Sequence, residues 1–466
     1  MVRLQESLGA LVEKHGVPGA AVAVLADGEV VDAAAGVVNV RTGVEARPDS
    51  PFMIQSITKV WTATLVMQLV DEGLVALDDP VRRHLPGFRT ADEEQSAAIT
   101  IRHLLTHTGG FEGDLWTVTT CGDDALRRLV DDHVSGAPQH APPGEMYSYC
   151  SAGMAVLGRL VEVMRGTTYA SALRSRLAMP LGVDGLAFDA GEAVGFTTAI
   201  GHVRARPGEA LRPVATWAVM PASNPAAGNQ LAMPARGLVE LARLHLADGR
   251  APSGERLLSA ESARLMRDAH VHVPATRGKS VAQGLGWRVS TATGVVDHGG
   301  GTIGSSAMLR LVPDRGVAVA VVANTDEAGG LIEELCRDLL GELADLVPPA
   351  AAAVPDPAPV DDVSRFTGRY ELRNVTWEVD VDESGRLRAT RAERGEAVEM
   401  AVRAGLPPQA ATEPTIAELR RLDGEVFVQV DDAGRPGGLV EFIGSDDAGR
   451  ARYLHAGRAA PRTSQA

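Results

Sequence analysis

The chain is organised around one stretch of its sequence, Phe52-Met53-Ile54-Gln55-Ser56-Ile57-Thr58-Lys59-Val60-Trp61-Thr62. Ser50-Pro51 disfavours helix just before it, and residues 60–69 carry apolar side chains at helical spacing. The stretch therefore predicts the first turns of a buried helix, with Ser56 and Lys59 one turn apart on the same face. A serine hydroxyl is a poor nucleophile until a base takes its proton. Burial or a neighbouring cation turns a lysine into such a base by lowering its pKa.

Lysine is rare in this chain, which favours a catalytic interpretation of Ser56 and Lys59. Of the 45 lysines and arginines, only Lys14, Lys59 and Lys279 are lysines. Arginine cannot lose its proton in a protein, whereas lysine can, so a lysine retained one turn after a serine suggests proton transfer. A capping serine next to a surface lysine gives the same spacing, however, and the catalytic interpretation needs further residues.

The composition limits the classes of partner and site. The chain has 466 residues, a net charge of -15, 45% hydrophobic and 23% charged residues, which is typical of a soluble protein. The negative charge argues against nucleic acid or an anionic membrane as a partner. Cys121, Cys150 and Cys336 are scattered and predict neither a disulfide framework nor a metal site, and no cofactor is expected. Without a signal-type segment or a membrane-span-length apolar run, the sequence predicts a cytoplasmic protein.

The order of elements predicts an α/β domain followed by a smaller all-β domain. Asp27-Gly28 between two apolar runs predicts a hairpin, and further strands appear only near residues 283–324, with helices between. Residues 1–346 are therefore expected to share one antiparallel sheet flanked by helices. Residues 347–360 are rich in Pro and Ala and predict a linker. Short alternating strands in residues 361–466 predict a small antiparallel barrel or sandwich with a structural or lid-forming role.

Three other segments carry side chains or backbone suited to acyl transfer. Tyr149 precedes a predicted helix and is a candidate proton relay, if the positive charge of Lys59 lowers its pKa. His298 ends a predicted strand and is followed by a predicted glycine turn whose bare N–H groups are suited to line a cleft. His107, in the last turn of a predicted helix, is interpreted as a cap for helix carbonyls rather than a catalytic group.

Together these motifs resemble the serine β-lactamase and penicillin-binding-protein superfamily, in its class C-like branch of esterases, D-aminopeptidases and DD-carboxypeptidases. Ser56-Ile57-Thr58-Lys59 matches Ser-x-x-Lys, and Tyr149-Cys150-Ser151 stands at the Tyr-x-Asn position. His298-Gly299-Gly300 stands at the position of Lys-Thr-Gly or His-x-Gly, and Pro143-Gly144-Glu145 is a familiar flank. The resemblance covers about residues 5–345. It implies a β-lactamase-like fold, and the β domain is expected to be lipocalin-like.

The resemblance also implies a role for each matched residue. Ser56 would form the acyl-enzyme, while Lys59 and Tyr149 would share the general-base and proton-relay work. His298 would orient the substrate, and the backbone N–H groups of Ser56 and Gly301 would form the oxyanion hole. The substrate would contact, besides these, Ser151, Gly299 and Gly300. Serine at position 151 departs from the usual asparagine, and its shorter side chain puts amide recognition in doubt.

Several substrate classes remain open at this point. A narrower resemblance is to stand-alone penicillin-binding-protein-type thioesterases of nonribosomal peptide assembly, which carry a similar β domain. These enzymes take a peptide from a peptidyl carrier protein onto serine and release it by cyclisation. The alternatives are a generic esterase or amidase acting on small acyl substrates, a D-amino-acid peptidase or β-lactamase, and a catalytically inactive binding protein.

Overall fold

The computed structural model describes residues 2–206, 208–276, 280–346 and 354–463. Its first part is built on antiparallel strands, and nine of them form one sheet in the order β3-β2-β1-β13-β12-β11-β10-β9-β8, while β4 pairs with β7 and β5 with β6. The strands are β1 (Gly19–Ala26), β2 (Glu29–Asn39), β3 (Val44–Glu45), β4 (Phe52–Met53), β5 (His202–Val203), β6 (Arg212–Pro213), β7 (Ala232–Met233), β8 (Val271–His272), β9 (Val281–Gln283), β10 (Arg288–Ser290), β11 (Val296–Thr302), β12 (Ser305–Val312) and β13 (Val317–Ala323).

Helices cover both faces of this sheet and form a helical region beside it. They are α1 (Val2–His15), α2 (Thr58–Asp71), α3 (Glu93–Ala98), α4 (Ile101–Leu105), α5 (Ala125–Arg128), α6 (Ser151–Arg165), α7 (Tyr169–Leu173), α8 (Ala190–Ala193), α9 (Ala235–Leu246), α10 (Ala260–Leu265) and α11 (Gly329–Ala344). None of the helices in the described part of the chain has both the length and the apolar character needed to cross a membrane.

The central strand β1 shows why the sheet is buried on both sides. Its side chains alternate between two apolar clusters, because successive residues of a strand point to opposite faces. Ala21, Ala23 and Leu25 belong to the larger cluster, which includes α2 and α9. Val22 and Val24 pack on the other face, in the cluster formed with α1 and α11. Since β1 pairs with β2 and with β13, the predicted hairpin and the predicted single sheet are both confirmed.

Helix α2 runs through the middle of the first domain. Every residue from Thr58 to Leu69 is buried. A helix that is buried all round carries apolar residues on all faces rather than along one stripe. Lys59, in its first turn, is therefore surrounded by protein. Such burial lowers the pKa of a lysine and lets it act as a base.

The second part of the chain is a closed barrel of eight antiparallel strands, so the barrel alternative of the prediction is confirmed. Its interior is filled by a cluster of large apolar side chains that includes Tyr370, Phe427 and Phe442. Two short helices, α12 (Glu396–Arg403) and α13 (Pro408–Thr412), are inserted between the third and fourth strands. The strands are β14 (Gly368–Leu372), β15 (Val375–Val381), β16 (Leu387–Glu393), β17 (Thr415–Asp423), β18 (Val426–Val430), β19 (Pro436–Ile443), β20 (Tyr453–His455) and β21 (Ala459–Thr463).

Two details concern the predicted boundaries and turns. Residues 347–353 of the predicted linker lie outside the described residues, so its limits at 347 and 360 stay predictions. The predicted glycine turn after His298 is wrong, because Gly299, Gly300 and Gly301 continue β11 and pair with β12. The reversal comes at Gly304, whose positive φ of 84° suits a tight turn.

Candidate active site

Ser56 lies in a short 3-10 turn, Gln55–Ile57, that leads directly into α2. Gln55 has a positive φ of 49°, which is uncommon for a residue with a side chain. The surroundings hold this backbone in place: its side chain donates a 3.0 Å hydrogen bond to Ser305, and a Cβ at Gly228 would come within 1.9 Å of its carbonyl oxygen. Such strained turns occur at functional sites, where they fix one side chain in an exposed position.

Lys59 is buried beside this serine. Its Nζ donates hydrogen bonds to the Ser56 hydroxyl at 3.0 Å and to the Ala227 carbonyl at 3.1 Å. Burial, and then the positive charge of Arg458, lower the pKa of Lys59 to about 7. A substantial fraction of this amine is therefore neutral near pH 7, so it can accept the proton of Ser56.

Tyr149 lies next to the pair, but in a different electrostatic state from the one expected. The Lys59 Nζ lies over its ring, 4.8 Å from the ring centre. Burial raises the pKa of Tyr149 to about 12, and a hydrogen bond with Ser56 offsets only part of this effect. The expectation that Lys59 lowers this pKa is wrong. The phenol stays protonated near neutral pH, which suits a proton donor.

His107 has a different role from the predicted helix cap. Helix α4 ends before it, and His107 has a left-handed backbone with φ 57° and a buried side chain. Its Nδ1 accepts a 3.2 Å hydrogen bond from the Cys150 N–H, and its ring packs against Tyr149 at 4.6 Å. Burial and then Lys59 keep the pKa of His107 well below its usual value, so the ring is neutral. His107 therefore positions the segment that carries Tyr149.

His298 and its glycines lie on β11, along the opposite side of the serine turn. Burial and then Lys59 lower the pKa of His298 to about 3, so this histidine is neutral, and its Nδ1 lies 2.7 Å from the Gly299 carbonyl. A Cβ on Gly300 would come within 2.3 Å of the Ile54 carbonyl oxygen. Gly300 thus lets β11 approach the turn that carries Ser56. Gly301 lines the cavity at Ser56, whereas His298, Gly299 and Gly300 are not among the residues that line it.

Ser151 opens α6 and lines the same cavity. Its carbonyl accepts a 2.9 Å hydrogen bond from Asn224. The cavity also contains a side-chain amide that the sequence interpretation missed, Asn229, whose Nδ2 donates to the Pro221 carbonyl at 2.9 Å. Asn229 follows Ser151 by 78 positions in the chain, and no local pattern marked it.

The barrel reaches into the site through the turn between β20 and β21. The Gly457 carbonyl accepts a 3.1 Å hydrogen bond from the Tyr149 N–H, which fixes this turn against the catalytic segment. Arg458 lies over the Tyr149 ring at 5.1 Å and forms an ion pair with Asp114, with one Nη–Oδ distance of 2.9 Å. Burial raises the pKa of Asp114 and lowers that of Arg458, but Asp114 keeps the pKa of Arg458 above its usual value. Arg458 is a site residue that the sequence interpretation missed.

These groups surround a cavity of about 580 Å³, a size typical of ligand pockets. Its polar lining includes Ser56, Lys59, Tyr149, Asp114 and Arg458, and Arg391 and Glu393 at the end of β16 line it as well. Its apolar lining comes largely from the two helices inserted in the barrel. The apolar residues include Trp116, Met220, Ile303, Ala397, Met400, Ala401, Leu406, Ala410 and Ala411.

Two other features of the described residues bear on where a site lies. No group of three or more His, Cys, Asp or Glu side chains in residues 2–206, 208–276, 280–346 and 354–463 is arranged to hold a metal ion. A larger groove of about 1180 Å³ lies on the barrel and is lined by charged side chains such as Arg369, Asp380 and Arg450. Its Ser364 donates a hydrogen bond to an exposed carboxylate, Asp362, whereas Ser56 is paired with a buried lysine, so the smaller cavity is the candidate active site.

Known proteins resemble this chain over both domains. A family model described as Beta-lactamase matches residues 4–334. The chain is 42% identical over 371 residues to Penicillin-binding protein 4 of Amycolatopsis lactamdurans, which spans 79% of this chain and 96% of that protein. The crystal structure of SurE covers 99% of both chains with a TM-score of 0.77 and 28% identity. That of SurE with D-Leu covers 99% of this chain and 100% of the other, with a TM-score of 0.74 and 29% identity. On the family match and the fold, this chain belongs to the β-lactamase family, which includes the penicillin-binding proteins.

Proposed function

We propose that this protein is a penicillin-binding-protein-type thioesterase, which takes a peptidyl group from a carrier-protein thioester onto Ser56 and releases it by cyclisation. The observation that carries the proposal is that the barrel closes over the nucleophile: Arg458 and the inserted helices α12 and α13 line the cavity. A β domain after the hydrolase domain is the feature by which the chain resembles these thioesterases. The likeness to SurE extends over the barrel as well, so the same pairing of the two domains is present in that protein.

In the first half of the reaction, the neutral amine of Lys59 takes the proton of Ser56, and the serine oxygen attacks the thioester carbonyl. The backbone N–H groups of Ser56 and Gly301 would hold the resulting oxyanion, and each such donor contributes on the order of 3 kcal/mol to lowering the barrier. The C–S bond then breaks. Tyr149 donates its proton to the leaving thiolate and regains one from Lys59, which leaves an ester on Ser56 and a free thiol.

In the second half, an amine of the bound peptide attacks the ester carbonyl. Lys59 accepts the proton that the amine loses, and the proton returns to the Ser56 oxygen through Tyr149 as the C–O bond breaks. The product is a cyclic amide and the free serine. A cavity covered by the barrel favours an amine held inside it over water, since closing a site excludes solvent.

The configuration of the substrate can be proposed from the relatives. SurE has been solved with D-Leu, and the chain matches that structure over its whole length. We extend the proposal to an acyl donor whose thioester-bearing residue is D-configured. A pair of peptidyl thioesters differing only in that stereocentre tests this point, and equal rates of Ser56 acylation would contradict it.

The proposal is tested with a peptidyl N-acetylcysteamine thioester that has a free amino terminus. We expect intact-mass spectrometry to show the peptidyl group on Ser56, and product analysis to show a macrocycle. The same peptide with an acetylated amino terminus is the matched control, because it should acylate Ser56 and then yield only the linear acid. Ser56→Ala should abolish both reactions, together with covalent labelling by a fluorophosphonate.

Other outcomes would assign a different function. Turnover of a short-chain p-nitrophenyl ester, with no acylation by the peptidyl thioester, would replace the proposal with a generic esterase or amidase. Acylation by penicillin with hydrolysis would favour the β-lactamase alternative. A protein that reacts with none of these reagents, fluorophosphonate included, would be a catalytically inactive binding protein.

A further inference from the structure

Helix α12 presents one apolar face to the interior of the molecule. Ala397, Met400, Ala401 and Ala404 are buried, and their spacing of three and four residues places them on one side of the helix. Val402 and Glu399 on the other side are exposed. Three of the four inward residues are alanines, whose small side chains do not fill the space between this helix and the site.

Part of this face packs against the first domain, and part of it is left open to the cavity. Met400 and Ala404 are buried in an apolar cluster with Val203, Val214 and Val219. Ala397, Ala401 and, on α13, Ala410 and Ala411 line the cavity at Ser56. The cluster therefore fixes the position of α12, while the alanines leave room between the helix pair and the nucleophile.

The same apolar wall continues to the strand that would hold the substrate carbonyl. Ile303 and Met220 line the cavity and are packed against the cluster that contains Met400. Ile303 follows the proposed oxyanion residue Gly301 by two positions, where β11 turns into β12. Ile303 therefore adds an apolar side chain to the cavity next to the residue that would hold the carbonyl of the acyl group.

We infer that the helical insertion of the barrel, residues 394–414, forms a subsite for a bulky apolar side chain on the acyl-bearing residue. Ala401, Ala410 and Ala411 line this subsite, and their small side chains set how large a substrate side chain it can hold. This inference deepens the proposed function and rests on acylation of Ser56. It makes the barrel a specificity element: the first domain supplies the chemistry, and the insertion selects the residue that reacts.

The inference is tested by filling the subsite. Ala410 is only half-buried, so Ala410→Phe adds a ring toward the cavity without disturbing a core position. The matched control is Gln409→Phe, at the exposed neighbouring position of the same helix. Ala401→Phe and the exposed Val402→Phe form a second pair on α12. The substrates are two peptidyl N-acetylcysteamine thioesters that differ only in the thioester-bearing residue, D-alanine or D-phenylalanine.

We expect the native protein to be acylated faster by the phenylalanine thioester. In Ala410→Phe, kcat/KM for that substrate should fall by about 10- to 100-fold relative to the alanine substrate, as expected when an apolar pocket loses a few methylene-sized volumes. The control variants should keep the native ratio. An unchanged ratio in both cavity variants, or the same change in the controls, would overturn the inference.

Failure of the proposed function gives a different result. If fluorophosphonate labels Ser56 but neither thioester does, the thioesterase proposal fails, and the same variants are then measured with p-nitrophenyl acetate and p-nitrophenyl hexanoate. A selective loss of the hexanoate rate in Ala410→Phe would still support the apolar subsite. Equal rates for both esters in every variant would reject it.

Discussion

At the scale of single residues, the site depends on the amine of Lys59, whose charged form is unfavourable inside the protein. The amine of Lys59 lies among protein atoms and donates hydrogen bonds to the Ser56 hydroxyl and the Ala227 carbonyl. Since burial disfavours the charged form, the pKa falls to about 7 and the group becomes a base at neutral pH. Arginine cannot take this role, because it does not lose its proton.

The rate of Ser56 acylation should follow the deprotonation of this amine. We expect kcat/KM for a p-nitrophenyl ester to rise with pH, with an apparent pKa near 7, because only neutral Lys59 accepts the serine proton. Arg458→Met should move this rise to higher pH. It removes a cation that lowers the pKa of Lys59 and leaves Asp114, which raises it. Arg452→Met, at an exposed position just before β20, is the control, and an unchanged profile in Arg458→Met would contradict the electrostatic link.

Replacement of Lys59 by arginine should be as damaging as its removal. We expect Lys59→Arg and Lys59→Ala to lose acylation to a similar extent, by at least about 100-fold, as is usual for a lost general base. Pre-steady-state acylation with the p-nitrophenyl ester measures this effect. Substantial activity in the arginine variant would show that a positive charge, rather than a base, is what Ser56 requires.

The lowered pKa also predicts how stability depends on pH. Between about pH 7 and the usual lysine pKa of 10.5, the unfolded chain binds a proton at Lys59 that the folded chain does not, so this residue makes folding more favourable as pH rises. Lys59→Met should therefore stabilise the protein most at pH 6, by on the order of 2 kcal/mol, and less at pH 9. Urea unfolding at both pH values measures the difference. A constant difference would show that Lys59 is not buried as a perturbed amine.

At the scale of secondary-structure elements, the decisive contact is between β11 and the serine turn. Gly300 lies so close to Ile54 that a Cβ would come within 2.3 Å of its carbonyl oxygen. The adjacent Gly299 has space, since the nearest atom to its Cβ would be the flexible end of Met308 at 3.4 Å. The oxyanion strand and the nucleophile are thus held together by a backbone-to-backbone approach.

This contact predicts different effects for two neighbouring substitutions. We expect Gly300→Ala to destabilise the protein by about 1–3 kcal/mol, because overpacking forces the backbone apart, and to reduce fluorophosphonate labelling of Ser56. Gly299→Ala should be nearly neutral for stability. Thermal unfolding and the labelling rate measure both effects, and equal behaviour of the two variants would mean that the close approach does not position the serine.

At the scale of the whole molecule, the barrel is tied to the first domain by a carboxylate at the start of α12. Glu396 is buried and accepts hydrogen bonds from the Trp116 N–H at 2.9 Å, from the Thr117 hydroxyl and from Arg373. Trp116 and α12 both line the cavity, so this carboxylate joins two walls of the site. Helix α12, which with α13 is called the lid below, is thus held against the first domain by these hydrogen bonds as well as by the apolar packing of Met400 and Ala404.

Removal of this carboxylate should loosen the lid without disturbing the catalytic residues. We expect Glu396→Ala to cost about 1–3 kcal/mol, the cost of leaving buried donors unpaired, and to speed hydrogen exchange in residues 112–118 and 394–404. It should also raise the share of linear acid over macrocycle, because water gains access to the acyl-enzyme. Glu399→Ala, on the exposed face of the same helix, is the control. Native exchange rates in Glu396→Ala would show that the lid is held elsewhere.

Several features of this protein depend only on local pattern and could be predicted from its sequence. The spacing of Ser56 and Lys59 follows from one turn of helix, and the Asp27-Gly28 hairpin and the alternating strands of the barrel follow from a period of two. The family resemblance needed only the order of three short motifs. Each of these signals lies within a few residues of the chain. The geometry of one helical turn or one strand sets how such neighbouring residues are placed, whatever the rest of the fold.

The tertiary structure alone decided which distant groups meet at the serine and in which charge state. Arg458 and Asp114 are 344 positions apart and form an ion pair over Tyr149, and no local pattern marks either residue. The neutral state of His298 and the raised pKa of Tyr149 come from burial, which depends on everything packed around these side chains. Desolvation and long-range contact are properties of the folded surroundings, and for that reason a motif gives the identity of a catalytic residue but not its environment.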